Sequence, residues 1–233
     1  MSSIQDYYTD LSKEYNIQRS NRYFRLIEEI ELAVLKQYIS VDQLRVLELG
    51  CGTGIFLEHF QNTEIDLYGL DYTFDMLQVA KSNIQTNSAK LLQGNAQNLP
   101  YSNQSFDIIY SLKVLAHVPL LKEALCEVQR VLRPQGIAIL EFYNRHSLRY
   151  LSHRSDYFHQ WYSPDEIKHM LHEANLEIIT TYGARTFIPF AQIMDIPFVR
   201  TILGNLEKRA SGTKVNNFSG YYITVCRNKN MQS

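Results

Sequence analysis

A short apolar run, Arg45-Val-Leu-Glu-Leu49, ends on three alternating glycines, Gly50-Cys-Gly-Thr-Gly54, and a helical stretch through Phe56, Leu57 and Phe60 follows. This strand–glycine–helix unit constrains the fold more than any other feature of the chain. Alternating glycines let the backbone turn tightly and approach a ligand with no Cβ in between. The start of the following helix presents unpaired N–H groups to that ligand. Asp71, 19 residues after Gly52, ends the next apolar run, Ile65-Asp-Leu-Tyr-Gly-Leu70. In a doubly wound sheet this brings a carboxylate to the same edge, where it can accept hydrogen bonds from a ribose diol. An ordinary glycine-rich turn beside a surface aspartate is the plainer reading, and the acid at this spacing narrows it.

Strand-like and helix-like segments alternate from about residue 41 onward. Met76, Leu77, Ala80 and Ile84 fall at helical spacing within Phe74–Ile84, as do Leu125, Val128 and Leu132 within Lys122–Leu132. Lys90–Gln93, Phe106–Tyr110 and Ile137–Glu141 read as strands, the last entered through the turn Pro134-Gln-Gly136. Strands separated by helices imply a mostly parallel sheet covered on both faces. Ser163-Pro-Asp-Glu166 is a helix start with a capping box and proline at the first position. Leu176–Thr181 and Tyr221–Cys226 read as a final strand pair. Residues 1–40 form a tyrosine-rich helical arm or cap. Residues 183–219 interrupt the last strand pair as a lid. Residues 41–233 then make one main unit, and the whole chain is expected to be a single domain.

Composition limits the partners. With 23 Lys+Arg against 24 Asp+Glu in 233 residues, the chain is no global nucleic-acid wrapper. Cys51, Cys126 and Cys226 stand far apart, which argues against a disulfide framework or a zinc cage. The polar N-terminus lacks the apolar core of a signal peptide, and no apolar stretch is long enough to span a bilayer, so a soluble, cytoplasmic protein is expected. His169 and His172 share a helix face without a third ligand, and no metal site is expected. The 16 tyrosines suit a pocket for a molecule of mixed polarity, though tyrosines also fill ordinary cores.

Two cofactor classes use such a glycine turn. A dinucleotide site needs a small residue three positions after the second glycine, and here that position is Ile55. The segment Val46-Leu-Glu-Leu-Gly-Cys-Gly-Thr-Gly54 instead resembles the signature loop of class I S-adenosylmethionine-dependent methyltransferases of the small-molecule type. Gly69-Leu-Asp71 with Asp75-Met-Leu77, Gly94-Asn-Ala-Gln-Asn-Leu-Pro100, Phe106–Val118 and Arg130-Val-Leu-Arg-Pro-Gln-Gly136 are similar to that family's later motifs, in order. Many members carry Asp where this chain has Asn95, and an amide can still both accept and donate.

The resemblance implies an α/β fold, a doubly wound, mostly parallel, seven-stranded Rossmann-like sheet with an antiparallel last strand. It implies S-adenosyl-L-methionine as cofactor. Gly50, Cys51, Gly52 and Gly54 would form the loop at its methionine end, with Glu48 steering it. Asp71 would take the ribose hydroxyls, Tyr72 and Met76 flank the adenine, Asn95 and Ala96 read its edge, and Ser111 line the floor. The protein's task is then alignment of an in-line displacement, since a sulfonium already carries a good leaving group.

Tyr110-Ser-Leu-Lys113 is not the Asn/Asp-Pro-Pro-Tyr of enzymes that methylate amide or adenine nitrogens. With the near-neutral charge, this points to O, N or C of a small acceptor, aromatic or hydrophobic, and away from nucleic acid. The arm and the segment after strand five would enclose that acceptor with Tyr7, Tyr8, Tyr15, Tyr143, His146, Tyr157, His159 and Trp161. Tyr15 would either close over the sulfonium or pack the arm onto the core. His117 would serve as a base or as a structural histidine near the cofactor. The apolar run Phe187–Val199 would roof the pocket, make a dimer contact or meet a membrane surface. With Arg200 its lone adjacent cation, a packed lid or dimer contact is preferred. A non-catalytic binding or partner protein of the same fold is the alternative, and a nicotinamide-dependent reductase is disfavoured by Ile55.

Overall fold

Seven strands form one sheet in the order β3-β2-β1-β4-β5-β7-β6, in a computed structural model that describes residues 9, 15, 21–40, 43–85, 88–152, 159–187 and 196–229. The strands are β1 (Arg45–Leu49), β2 (Asp66–Asp71), β3 (Lys90–Gln93), β4 (Phe106–Ser111), β5 (Leu132–Tyr143), β6 (Leu176–Ala184) and β7 (Tyr221–Asn228). β1 pairs in parallel with β2 and β4, and β3 and β5 continue the parallel set outward. β7, last in the chain, runs antiparallel to both its neighbours. The sheet is doubly wound as expected, and its winding reverses between β1 and β4. At such a point the loops leave in opposite directions and open a crevice at the carboxyl ends of the strands.

The central strands owe their place to composition. β4 is buried along almost its whole length, as a strand covered on both faces must be. On one face lies α4 (Leu121–Val131), which buries Leu121, Ala124, Leu125, Val128 and Val131 at helical spacing. Beyond the short α5 (Leu148–Ser152), α6 (Pro164–Glu173) starts on the expected capping box, Ser163 accepting from Glu166 N–H while the Glu166 carboxylate takes the Ser163 N–H at 2.7 Å. The other face is covered by α1 (Arg22–Tyr38), the short α2 (Ile55–Glu58) and α3 (Phe74–Asn83). Asn21 caps α1 by accepting Phe24 N–H at 3.0 Å.

Three boundaries differ from expectation. α2 ends at Glu58, short of Phe60. β5 begins at Leu132 instead of Ile137: Phe106 pairs with Leu132 and Ile108 with Ile137, so the Pro134–Gly136 turn is carried as a bulge inside the strand. Gln135 takes the left-handed backbone at the apex of that bulge. β6 extends to Ala184, so the interruption between the last strands is shorter than residues 183–219. It contains α7 (Pro197–Ala210) and a 3-10 turn, Lys214–Phe218. α7 touches α1, since Lys208 Nζ reaches Glu29 at 2.8 Å and a Cβ on Gly204 would stand 3.7 Å from Leu26.

Candidate functional site

A cavity of about 320 Å³ opens at the carboxyl ends of β1, β2 and β4. Glu48, Gly50, Gly52, Asp71, Tyr72, Met76, Asn95, Ala96, His117 and Tyr15 all line it, so ten of the residues singled out from sequence meet around one space. That volume lies within the roughly 300–1,000 Å³ of small-molecule sites.

The loop after β1 is built around three glycines with positive φ: Gly50 at +76°, Gly52 at +52° and Gly54 at +80°. A side chain on Gly50 would overlap Val114, and one on Gly54 would meet Ile84. At Gly52 nothing lies within 4 Å of a Cβ, so its bare face opens to the cavity. The loop is tied to β2 twice. Gly50 and Cys51 N–H donate to Leu70 O at 2.6 and 3.0 Å. Gly52 N–H donates to Asp71 Oδ2 at 2.7 Å, and Thr73 N–H donates to Oδ1 at 2.8 Å.

The cavity wall is acidic. Burial pushes the Asp71 carboxyl up, opposed by the N–H groups of Thr73, Gly52 and Tyr72. Glu48, almost fully buried, accepts the Tyr110 hydroxyl at 3.0 Å. The two carboxylates and the bare Gly52 edge make a cradle that accepts hydroxyl donors and complements a cation, with no cation in the glycine loop itself. Asn95 presents a carboxamide whose oxygen accepts Gln97 N–H at 2.9 Å, which orients its amide nitrogen. Of the lining residues, Tyr72 is largely exposed and Met76 is buried. The segment after Asn95 is held from α4: Arg130 donates to Leu99 O and Tyr101 O at 3.0 and 2.8 Å, while Glu127 accepts Leu99 N–H at 2.7 Å.

Three expected contact residues stand behind the cavity instead of lining it. Ser111 is fully buried and donates to Leu49 O at 2.9 Å, bracing β1 against β4. Cys51 is buried among Leu57 and Gly69, and its thiol is pushed well up by burial and then by Glu48 and Asp71. Gly54 starts α2 against Ile84. These residues shape the loop that lines the space.

Lys113, His117, Pro119 and Tyr15 line the same cavity. The His117 ring lies 4.7 Å from His159 and 6.0 Å from Tyr143, between centroids. Tyr143 in turn stacks on His159 at 5.6 Å and meets Trp161 at 5.2 Å. His146 is exposed on the loop after β5, apart from this group. Tyr7, Tyr8 and Tyr157 lie outside the described residues. His169 pairs with Glu173 on the surface of α6 at 3.4 Å.

Lys113 was not foreseen. It holds a left-handed backbone at φ +62°, its N–H donates to Glu141 Oε1 at 3.1 Å, and its ammonium pairs with Glu31 of α1. Glu31 and Glu141 are both buried. Burial pushes the Glu141 carboxyl up to about 8, opposed by Lys113 and reinforced by Glu31. These partners stand 82 and 28 residues from Lys113 in the chain, so no local pattern announces the cluster.

Comparison with known proteins bears on the same region. The family model described as "Methyltransferase domain" matches residues 47–140. An uncharacterized protein of Methanocaldococcus jannaschii is 34% identical over 148 residues, covering 64% of this chain and 55% of that protein. The demethylmenaquinone methyltransferase of Lactococcus lactis is 29% identical over 139 residues, covering 57% of this chain and 55% of that enzyme. The chain thus spans about half the length of these curated relatives. Among solved structures, a chain from the complex of the Haloferax volcanii Trm112 methyltransferase activator with its methyltransferase partner superposes with a TM-score of 0.72 at 20% identity. That match covers 99% of this chain and 100% of the other, and at this identity it speaks for the fold.

Proposed function

We propose that the chain is a class I S-adenosylmethionine-dependent methyltransferase, with S-adenosyl-L-methionine as its cofactor, and that it methylates an O, N or C atom of a small aromatic or hydrophobic acceptor. The observation that carries this reading is the meeting of Glu48, Gly52 and Asp71 on one cavity that Lys113, His117 and Tyr15 also line. The cofactor, when bound, supplies an electrophilic methyl group on a sulfonium.

The chain's own residues divide the remaining work. Asp71, oriented by two backbone N–H groups, would accept the ribose hydroxyls. Glu48 would offer negative charge near the cationic sulfur, its free orientation limited by the Tyr110 hydroxyl. The bare Gly52 edge admits close approach, Tyr72 and Met76 would flank the adenine, and Asn95 and Ala96 would read its edge. Such residues accelerate transfer by holding donor and acceptor in line and excluding water.

His117 would take the acceptor's proton where the acceptor has one to lose, and Tyr15 would close the space above it. The aromatic group of Tyr143, His159 and Trp161 behind His117 supports a flat or apolar acceptor over a polyanion. The Lactococcus relative, named for demethylmenaquinone, fits that class of acceptor. The test is a labelled-methyl screen against small-molecule extracts, run with His117→Gln beside the parent chain. Label should enter an acceptor of low mass, and His117→Gln should slow turnover while leaving S-adenosylhomocysteine affinity unchanged. Cofactor binding without label transfer to any acceptor would favour the alternative, a non-catalytic partner protein of the same fold.

A further inference from the structure

Between Ile196 and Phe218 the chain turns an apolar face outward. Along α7, Phe198, Ile202 and Leu206 recur every four residues and are all exposed, Phe198 by 75%. That spacing puts them in one row on a helix, and 14 residues make the helix about 21 Å long. Ile196 before it, and Val215 and Phe218 after it, are exposed as well.

The inner side of α7 is already in use. Gly204 faces Leu26, and Leu203 packs on the cluster that contains Tyr23, Ile27 and Ala116. Glu207, fully buried, accepts the N–H groups of Thr186 and Phe187 at 2.9 and 2.6 Å. The exposed row is therefore a second apolar surface on a helix whose core-facing side is satisfied.

Charge identifies what would cover it. Residues 196–218 hold four cations, Arg200, Lys208, Arg209 and Lys214, and one carboxylate, Glu207. Because Glu207 is buried, the outward side of this segment shows no carboxylate of its own, and of the four cations only Lys208 is paired, with Glu29 of α1, among the ion pairs of the described residues. Arg209 follows Leu206 by one turn on the same exposed side, and Lys214 adjoins the exposed Val215. The segment also contains no Tyr, Trp or His, in a chain with 16 tyrosines. Protein interfaces concentrate their energy in Trp, Tyr and Arg, whereas Phe, Ile and Leu edged by basic residues suit a lipid boundary.

We propose that α7 and the following 3-10 turn dock the protein on an anionic lipid surface, Phe198 and Ile202 entering the headgroup boundary while Arg209 and Lys214 meet lipid phosphates. The contact is peripheral in this proposal, and no helix among the described residues is long and apolar enough to cross a membrane. The sequence had disfavoured a membrane because Arg200 is the lone cation beside Phe187–Val199; the cations that complete the face lie beyond that run, at Arg209 and Lys214. This inference stands apart from the catalytic reading.

The test is co-sedimentation of the full chain with phosphatidylcholine vesicles, with and without phosphatidylglycerol. Binding should rise at least about tenfold with the anionic lipid and fall in high salt. The exposed double variant Phe198→Asn/Ile202→Asn should lose that binding while keeping its unfolding temperature. Should it unfold, Arg209→Glu/Lys214→Glu provides the second arm, with binding again expected to fall about tenfold or more. Equal or absent sedimentation of the parent chain on both vesicles would overturn the proposal. So would a parent dimer, dissolved by Phe198→Asn/Ile202→Asn, in a chain that ignores vesicles.

Discussion

Gly52 N–H donates to Asp71 Oδ2 at 2.7 Å, which joins the loop after β1 to the carboxylate after β2 as one unit. The second oxygen is held by Thr73 N–H at 2.8 Å, so the carboxylate meets the cavity in a fixed orientation. The neighbouring glycines serve different ends. Gly50 makes room for Val114, and Gly52 makes room for whatever enters the cavity.

This difference predicts opposite behaviour from two alanines. Gly50→Ala combines a positive φ with overlap on Val114 and should cost about 2–4 kcal/mol of stability. Gly52→Ala meets no neighbour within 4 Å and should cost about 1 kcal/mol from φ alone. Its new methyl stands in the cavity, so S-adenosylhomocysteine affinity should fall by more than stability does. Thermal unfolding and ligand titration of the two variants check this; equal stability losses would argue against the division of roles.

The Glu31–Lys113 pair ties α1 to the loop after β4, with both groups largely out of water. Removing one partner strands the other charge. Glu31→Gln or Lys113→Met should each destabilise by about 3–5 kcal/mol, and Glu31→Leu/Lys113→Met together should recover most of that loss. Denaturant unfolding of the three variants measures the coupling. Additive losses would mean that the two side chains act independently.

Glu141 gives this cluster a pH dependence. Its carboxyl, pushed up mainly by burial, titrates at about 8 in the fold against an ordinary value of 4.5. Between those values the folded chain keeps a proton that the unfolded chain has lost. Stability should therefore fall as pH rises through that window and level off above about 8. Glu141→Gln carries no such proton, so its unfolding temperature should change less than the parent's between about pH 5 and pH 8. Parallel curves for the two proteins would show that Glu141 titrates normally.

Arg130 holds Leu99 O and Tyr101 O from α4, and so fixes the segment that follows the cavity-lining Asn95. Arg130→Ala should loosen the segment that follows Asn95 and weaken S-adenosylhomocysteine binding about tenfold, with a stability cost of about 1–2 kcal/mol. Unchanged affinity at that stability loss would confine Arg130 to the fold.

The sequence made some of this legible and not the rest, for a physical reason. The Gly50–Gly54 loop and Asp71 follow from residue types whose backbone freedom or charge has a local meaning, and β1, β2 and β4 are short apolar runs that a buried parallel sheet requires. Lys113 gave no such sign, because Glu31 and Glu141 reach it only after α1 and β5 are in place. Pro134–Gly136 looked like a strand boundary, yet the flanking pairs Phe106–Leu132 and Ile108–Ile137 carry β5 through it. Ser111 shares the β4 edge with lining residues, but its hydroxyl is committed to Leu49 O. The period of α7 shows an amphipathic helix without showing which apolar side is spent on α1.

The central claim is that the Gly52–Asp71 unit holds the cofactor, and calorimetric titration of the full chain with S-adenosylhomocysteine tests it most directly. Saturable one-to-one binding is expected, with none for NADH and with Asp71→Ala weakening the affinity by about 10- to 100-fold, equivalent to roughly 1.4–2.8 kcal/mol. An Asp71→Ala chain that binds as tightly as its parent, or a parent chain that binds NADH and not S-adenosylhomocysteine, would contradict it.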